Sequence, residues 1–129
     1  MKNGEIIKLN EVLAKVVIPQ NMEVDELYNY LSAKADIEKA VEPIEAKIGK
    51  FRDETMPEGV DEVALRNNDP KAVKWFETFV EMRNKLMMEE YKGEELKPCL
   101  SKDSFAKMAA GLQTFEAMLI MKYLLIKDV

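Results

Sequence analysis

One hydrophobic repeat, in the segment Val24–Thr55, restricts the fold more than any other feature of the sequence. Apolar residues recur there at alternating spacings of three and four, interrupted once by a lysine. The repeat consists of Leu27, Tyr30, Lys34, Ile37, Val41, Ile44, Ile48 and Phe51. This periodicity is typical of a helix that packs along a nearly parallel or antiparallel partner helix. We therefore expect one long helix with a second helix beside it.

Two residues inside this segment oppose a continuous helix. Pro43 removes a backbone hydrogen bond, and Gly49 costs up to ~1 kcal/mol relative to alanine. The hydrophobic repeat nevertheless keeps its phase across both positions. We therefore predict one long helix that is bent at Pro43, and the alternative is two helices that break near Glu42.

A second repeat with the same spacing predicts a final helix with Ser101 as its N-cap. It consists of Phe105, Met108, Leu112, Phe115, Leu119, Tyr123 and Ile126. From Ala117 to Ile126 the apolar residues surround the helix, which is typical of a helix that is buried on every side. This end is predicted either to be the central strut of the core or to contact another chain with part of its surface.

Capping and stop signals predict three further helices. The first covers residues 4–17, with Asn3 as its N-cap. A third long helix covers residues 70–92, because Asp69 followed by a proline is a strong start signal. Residues 60–68 are ambiguous: a short helix is preferred, and a short strand is the alternative.

Length and composition fit a single helical domain over residues 1–129. The chain is 47% hydrophobic and 33% charged, without internal repeats or a hairpin pattern. We predict an all-α fold, a helical bundle or long helical hairpin with three long helices and one or two short ones. The first residues lack the apolar stretch of a secretory signal, and no apolar run approaches the ~20 residues of a membrane span, so we expect a cytoplasmic protein.

The residue inventory argues against an enzyme. Histidine, the commonest general base and metal ligand, is absent, and Cys99 is the single cysteine. Cys99 lies between a proline and a leucine, in a stretch that we interpret as a buried connector. We therefore expect no catalytic, cofactor-binding or metal-ligating residues and no cofactor.

Methionine is abundant, with nine in the chain, and most lie on or beside the apolar stripes. Core filling is the ordinary role, but thioether side chains also repack readily against partner proteins. The favoured patch places Met87 and Met88 next to Trp75 and Tyr91. The full set of predicted interaction residues is Trp75, Met82, Met87, Met88, Tyr91, Met118, Met121 and Leu125.

The net charge of −5 disfavours nucleic acid as a partner, because affinity for phosphates depends on clustered cations. The alternative function is nevertheless a small nucleic-acid-associated regulator that uses a local basic patch. Its candidate residues are Arg66, Lys71, Lys74 and Arg83.

The opening residues 1–7, Met-Lys-Asn-Gly-Glu-Ile-Ile, resemble an uncharacterised family of small proteins encoded in phages and prophages. The order of parts is similar too: a short first helix, a long charged helix, a Glu-Glu-Tyr stretch at 89–91, a connector, and a last helix introduced by Ser-Lys-Asp-Ser-Phe at 101–105. The chain departs from that pattern at Pro43 and at the break of residues 57–59. The resemblance implies an accessory or assembly protein.

Together these features predict a non-enzymatic helical structural or interaction protein. It would act through an apolar helix face, on a protein partner or on a second copy of itself, and not on a membrane.

Overall fold

The computed structural model describes residues 1–127. Within that range the chain forms six helices and no strand, so the all-α prediction is confirmed. The helices are α1 (Asn3–Lys15), α2 (Val24–Thr55), α3 (Glu62–Arg66), α4 (Pro70–Met88), α5 (Lys102–Ala109) and α6 (Thr114–Leu124). No helix in these residues has the length and apolar character needed to cross a membrane.

The long helix predicted from the first hydrophobic repeat is present as one element, α2, and it includes Pro43. Its buried residues, Tyr30, Ile37, Val41 and Ile44, all belong to the repeat. Pro43 lies on the exposed side. The alternative of two helices that break near Glu42 is therefore wrong.

The main core is organised around α1, which packs against α2, α4 and α6. Ile6, Leu9 and Val12 of α1 are completely buried, and Leu13 is nearly so. The short first helix is therefore the central strut of the core. Helix α6, for which the sequence predicted that role as one of two alternatives, lies at the side of α1.

The prediction of one uninterrupted final helix is wrong, because a turn at residues 110–113 separates α5 from α6. Gly111 weakens the helix at that point. Two residues later, the backbone N–H of Gln113 donates to the Glu116 carboxylate at 3.1 Å, which stabilises a new helix start. The repeat kept its phase across the turn and so concealed it.

The predicted N-caps Asp69 and Ser101 are confirmed. The Asp69 carboxylate accepts a hydrogen bond from the Lys71 N–H at 2.9 Å, and the Ser101 hydroxyl accepts one from the Ser104 N–H at 3.2 Å. The ambiguous segment before α4 contains the short helix that was preferred, α3, capped by Asp61.

Two other helix ends differ from prediction because tertiary hydrogen bonds compete with capping. α1 begins at Asn3 itself, whose side-chain amide donates to the Leu86 carbonyl of α4 at 2.9 Å. α4 ends at Met88 rather than Lys92, since the next residue, Glu89, directs its carbonyl to the Asn3 N–H at 2.9 Å.

A second, smaller apolar cluster lies where the end of α2 meets α3 and the start of α4. Trp75 belongs to it, stacking on Phe79 at 5.5 Å between ring centroids and donating its indole N–H to the Thr55 hydroxyl at 3.0 Å. The other members of this cluster are Val60, Ala64, Leu65 and Ala72.

Candidate functional site: the outer face of α6

Helix α6 has one buried face and one exposed apolar face. Ile120 and Leu124 are completely buried in the main core. On the opposite side Phe115, Met118 and Met121 are 50%, 55% and 42% exposed. We call these three residues the outer face of α6. The all-round apolar pattern of the sequence thus reflects a helix that uses only half of its circumference for the core.

Polar contacts to α1 fix the orientation of α6. Near one end of α6, the Tyr123 hydroxyl donates to the Glu5 carboxylate at 2.6 Å. Near the other end, Glu116 forms an ion pair with Lys15. The two helices are therefore antiparallel, and the outer face is held pointing away from the core.

These contacts also set the protonation of the two carboxyl groups. The hydrogen bond from Tyr123 is the main cause that lowers the pKa of Glu5 to about 2. The bond from the Lys15 ammonium lowers the pKa of Glu116. Both groups are charged at neutral pH, so the attachment of α6 to α1 is electrostatic as well as apolar.

Two cations border the outer face, and each already has an acidic partner. The Lys8 ammonium lies 5.4 Å from the centre of the Phe115 ring and 3.3 Å from the Glu11 carboxylate. The Lys122 ammonium lies 3.3 Å from the Glu5 carboxylate. The surface that a partner would meet is therefore an apolar strip with balanced charges at its margin.

The predicted interaction residues do not lie together. Met118 and Met121 form part of the outer face, and Leu125 is half-buried just after it. Met88 is 63% exposed, whereas Trp75 is only 8% exposed. The others, Met82, Met87 and Tyr91, are half-buried.

The favoured patch of Met87 and Met88 beside Trp75 is not formed. Trp75 is buried in the small apolar cluster at the opposite end of α4. Twelve residues of helix separate it from Met87, which is about 18 Å along the axis at 1.5 Å per residue. The twelve-residue offset also rotates Met87 from Trp75 by about 120° at 100° per residue, so the two side chains lie on different sides of α4.

Sequence reasoning missed Phe115 as a surface residue, because the second repeat placed it in the core. The turn before α6 resets the helical phase, and Phe115 then points outward. The exposed apolar side chains at the start of α2, Val24, Tyr28 and Leu31, were missed as well. Their i, i+4, i+7 spacing was the signal that could have revealed that stripe.

The cations suggested for nucleic-acid binding are exposed but do not form one patch. Arg66 is paired with Glu62 at 3.1 Å. Lys71 and Lys74 lie on one side of α4, and Arg83 is rotated from Lys71 by about 120° at 100° per residue. Phosphate contacts would therefore have to come from different sides of the helix.

Reactive groups are few in the described part of the chain. Cys99 is buried, and burial raises the pKa of its thiol to about 11, so it is protonated at neutral pH and a weak nucleophile. No cluster of three or more cysteine, aspartate or glutamate side chains in residues 1–127 is arranged to hold a metal ion.

Comparisons of the chain with protein-family models, with curated proteins and with solved structures find no match. The geometry of the outer face of α6 is therefore the basis for proposing a function.

Proposed function

We propose that this chain is a non-enzymatic helical interaction protein that pairs with a second copy of itself through the outer face of α6. The observation that supports this most strongly is the exposure of Phe115, Met118 and Met121 on a helix whose opposite face is completely buried. Association that removes apolar surface of this kind from water is favourable in free energy, so such a face favours binding to a partner.

The position of the Lys122 ammonium beside the outer face of α6 favours a second copy of the chain as the partner. In most homodimers a two-fold axis brings the same surface of both subunits together. If two α6 helices lie antiparallel with Met118 next to the axis, Phe115 of one copy meets Lys122 of the other. The cation then lies against an aromatic ring, which is a favourable contact. The two Lys122 residues are about 10 Å apart along the axis at 1.5 Å per residue.

The size of the face indicates that pairing is weak. Three half-exposed side chains provide a few hundred Å², below the ~800 Å² per partner of a standard stable interface. The half-buried Leu125 and the exposed Ile126 extend the strip only at its end. We therefore expect a dissociation constant of about 10 μM or weaker, which a measurement at high concentration can detect.

The experiment is sedimentation of the full chain from low micromolar to about millimolar concentration. The apparent mass of the wild type should rise from 14.8 kDa towards twice that value. Met118→Glu should remain monomeric. Met88→Glu, a change at a more exposed methionine outside the face, should behave like the wild type.

Two results would contradict the proposal. A wild type that stays monomeric over the whole range excludes self-pairing and leaves the face to a different protein. Equal association of Met118→Glu and the wild type shows that the copies meet through another surface.

Residues 1–7 and the order of the helices resemble a family of small proteins encoded in phages and prophages, and this resemblance adds a biological setting to the proposal. It assigns the chain to the accessory or assembly proteins of a phage or prophage. Capsid, portal or tail genes beside its own gene are the expected finding, and a neighbourhood of unrelated metabolic genes would count against this assignment.

A further inference from the structure

The connector between α4 and α5 is anchored at both ends and unpaired between them. At its start the Tyr91 N–H donates to the Met1 carbonyl at 2.8 Å, and at its end the Cys99 N–H donates to the Leu124 carbonyl at 2.8 Å. Between these anchors, no backbone N–H or C=O of residues 92–98 bonds to another backbone group in the described chain. Residues 94–99 form neither helix nor turn, and Pro98 biases Lys97 towards extended geometry.

A groove of about 590 Å³ runs between this connector and α2. One wall is the stretch 29–40 of α2, and the other is the connector from Tyr91 to Cys99. A smaller groove of about 250 Å³ continues past Tyr91 and Ala40, which line both. The larger volume lies within the ~300–1,000 Å³ of typical ligand sites. The unpaired connector backbone therefore borders a space in which another chain can lie.

Two carboxylates lie on opposite walls of this groove, Asp36 on α2 and Glu94 on the connector. Burial raises the pKa of the Tyr91 hydroxyl, and the charges of Glu94 and Asp36 raise it further, so both carboxylates are close to the same hydroxyl. Neither carboxylate has an ion-pair partner within residues 1–127.

Over the whole lining of the larger groove the charges nearly cancel, with one acidic group in excess. Lys39 and Lys97 also line the larger groove, as does Glu95, so three acidic groups face two basic groups. Because Asp36 and Glu94 face each other without ion-pair partners, the space between them is the part of the groove best suited to a cation.

From this arrangement we infer that the groove binds an extended, lysine- or arginine-bearing peptide segment of a partner protein. Its backbone pairs with residues 92–98, and its cation lies between Asp36 and Glu94. Extended peptides commonly bind by adding themselves to an unpaired backbone edge, which supplies affinity while side-chain contacts supply specificity. This surface is separate from the outer face of α6, and the inference does not depend on self-pairing.

The test uses three fluorescent peptides that match the unpaired connector in length. The first alternates valine and lysine, the second has glutamate for lysine, and the third keeps lysine but is N-methylated on alternate backbone nitrogens. Fluorescence anisotropy with the full chain should show binding of the first peptide. The second and third should each bind at least ~10-fold more weakly, because one lacks the cation and the other lacks hydrogen-bond donors.

Variants of the protein test the position of the cation. Asp36→Asn and Glu94→Gln should each weaken binding of the lysine peptide by about threefold, and together by about tenfold, as expected for exposed charges. Glu38→Gln, which removes an exposed charge from α2 outside the groove, is the matched control and should bind like the wild type. Equal melting curves establish that each variant is folded.

Four results would overturn the inference. They are absence of binding at about millimolar lysine peptide, equal affinity for the lysine and glutamate peptides, unchanged affinity of the Asp36 and Glu94 variants, and binding that is insensitive to N-methylation.

Discussion

Replacing Tyr123 by phenylalanine should destabilise the fold by an amount that depends on pH. The Tyr123 hydroxyl donates to the Glu5 carboxylate at 2.6 Å and joins α6 to the central helix α1. This bond is the largest of the effects that bring the pKa of Glu5 from 4.5 to about 2. Burial opposes the change, whereas the Lys2 N–H and the Lys122 ammonium contribute to it.

The magnitude follows from linkage between protonation and folding. A pKa lowered from 4.5 to about 2 corresponds to ~3 kcal/mol of stability at neutral pH, at ~1.4 kcal/mol per pH unit. The Glu5 side chain is 29% exposed, so solvent screening reduces this to ~1–2 kcal/mol. Because Tyr123 supplies the largest share, Tyr123→Phe should cost ~1 kcal/mol at neutral pH.

The sign of the pH dependence is fixed by the direction of the pKa change. A lowered carboxyl pKa adds stability that is fully present above 4.5 and is lost as the pH falls towards about 2. Urea unfolding across this range should therefore show the difference between wild type and Tyr123→Phe shrinking with acidity. A difference that is absent at neutral pH, or equal at every pH, would refute the reasoning.

The matched control is Tyr28→Phe. Tyr28 is an exposed residue of α2, and its hydroxyl makes no hydrogen bond within residues 1–127. This variant should unfold at the same urea concentration as the wild type at every pH.

Three further predictions follow from burial and backbone geometry. Leu9→Ala should lower the free energy of unfolding by ~2–5 kcal/mol in urea titrations, because Leu9 is completely buried. The control Val63→Ala, at an exposed residue, should change the free energy of unfolding by less than ~0.5 kcal/mol. Similar values for both variants would contradict the assigned core. Gly49→Ala should stabilise the fold by ~0.5–1 kcal/mol and so raise the thermal midpoint, because no atom within 4 Å would meet the added Cβ. A lower midpoint would be inconsistent with a continuous α2. Iodoacetamide should alkylate Cys99 at least ~100-fold more slowly in the folded chain than in urea, and equal rates would show that the thiol is accessible.

The spacing of apolar residues predicted α2 well because burial there follows directly from the repeat. Ile37, Val41 and Ile44 face the core, while Pro43 falls between them on the exposed side. A proline costs the helix a hydrogen bond, but the packing on both sides of it outweighs that loss. The phase of the repeat therefore predicted the continuity of α2 better than the low helix propensity of Pro43 did.

The phase of the hydrophobic repeat failed to predict the break between α5 and α6. The repeat keeps its phase across Gly111, yet the chain turns there and restarts at Thr114. A local signal existed in Gln113 followed by Glu116, which resembles a capping pair. Because Phe115 follows this restart, the missed turn also hid the most prominent aromatic side chain of the outer face.

The tertiary contacts that fix the helices relative to one another lie beyond what spacing along the chain can reveal. Glu5 and Tyr123 are 118 residues apart, and Glu26, whose carboxylate accepts the Ser101 N–H at 2.6 Å, is 75 residues from its partner. Met118 and Met121 could be named from the sequence because helix composition is a local property. Which half of α6 faces solvent depends on its tertiary contacts to α1.

The central claim, that two copies meet through the outer face of α6, is tested most directly by NMR of methionine methyl groups labelled with ¹³C. As the protein concentration rises, the signals of Met118 and Met121 should shift, while that of Met88, which is more exposed than either, should stay constant. Signals of Met118 and Met121 that do not depend on concentration, or a Met88 signal that shifts as much as they do, would contradict the claim.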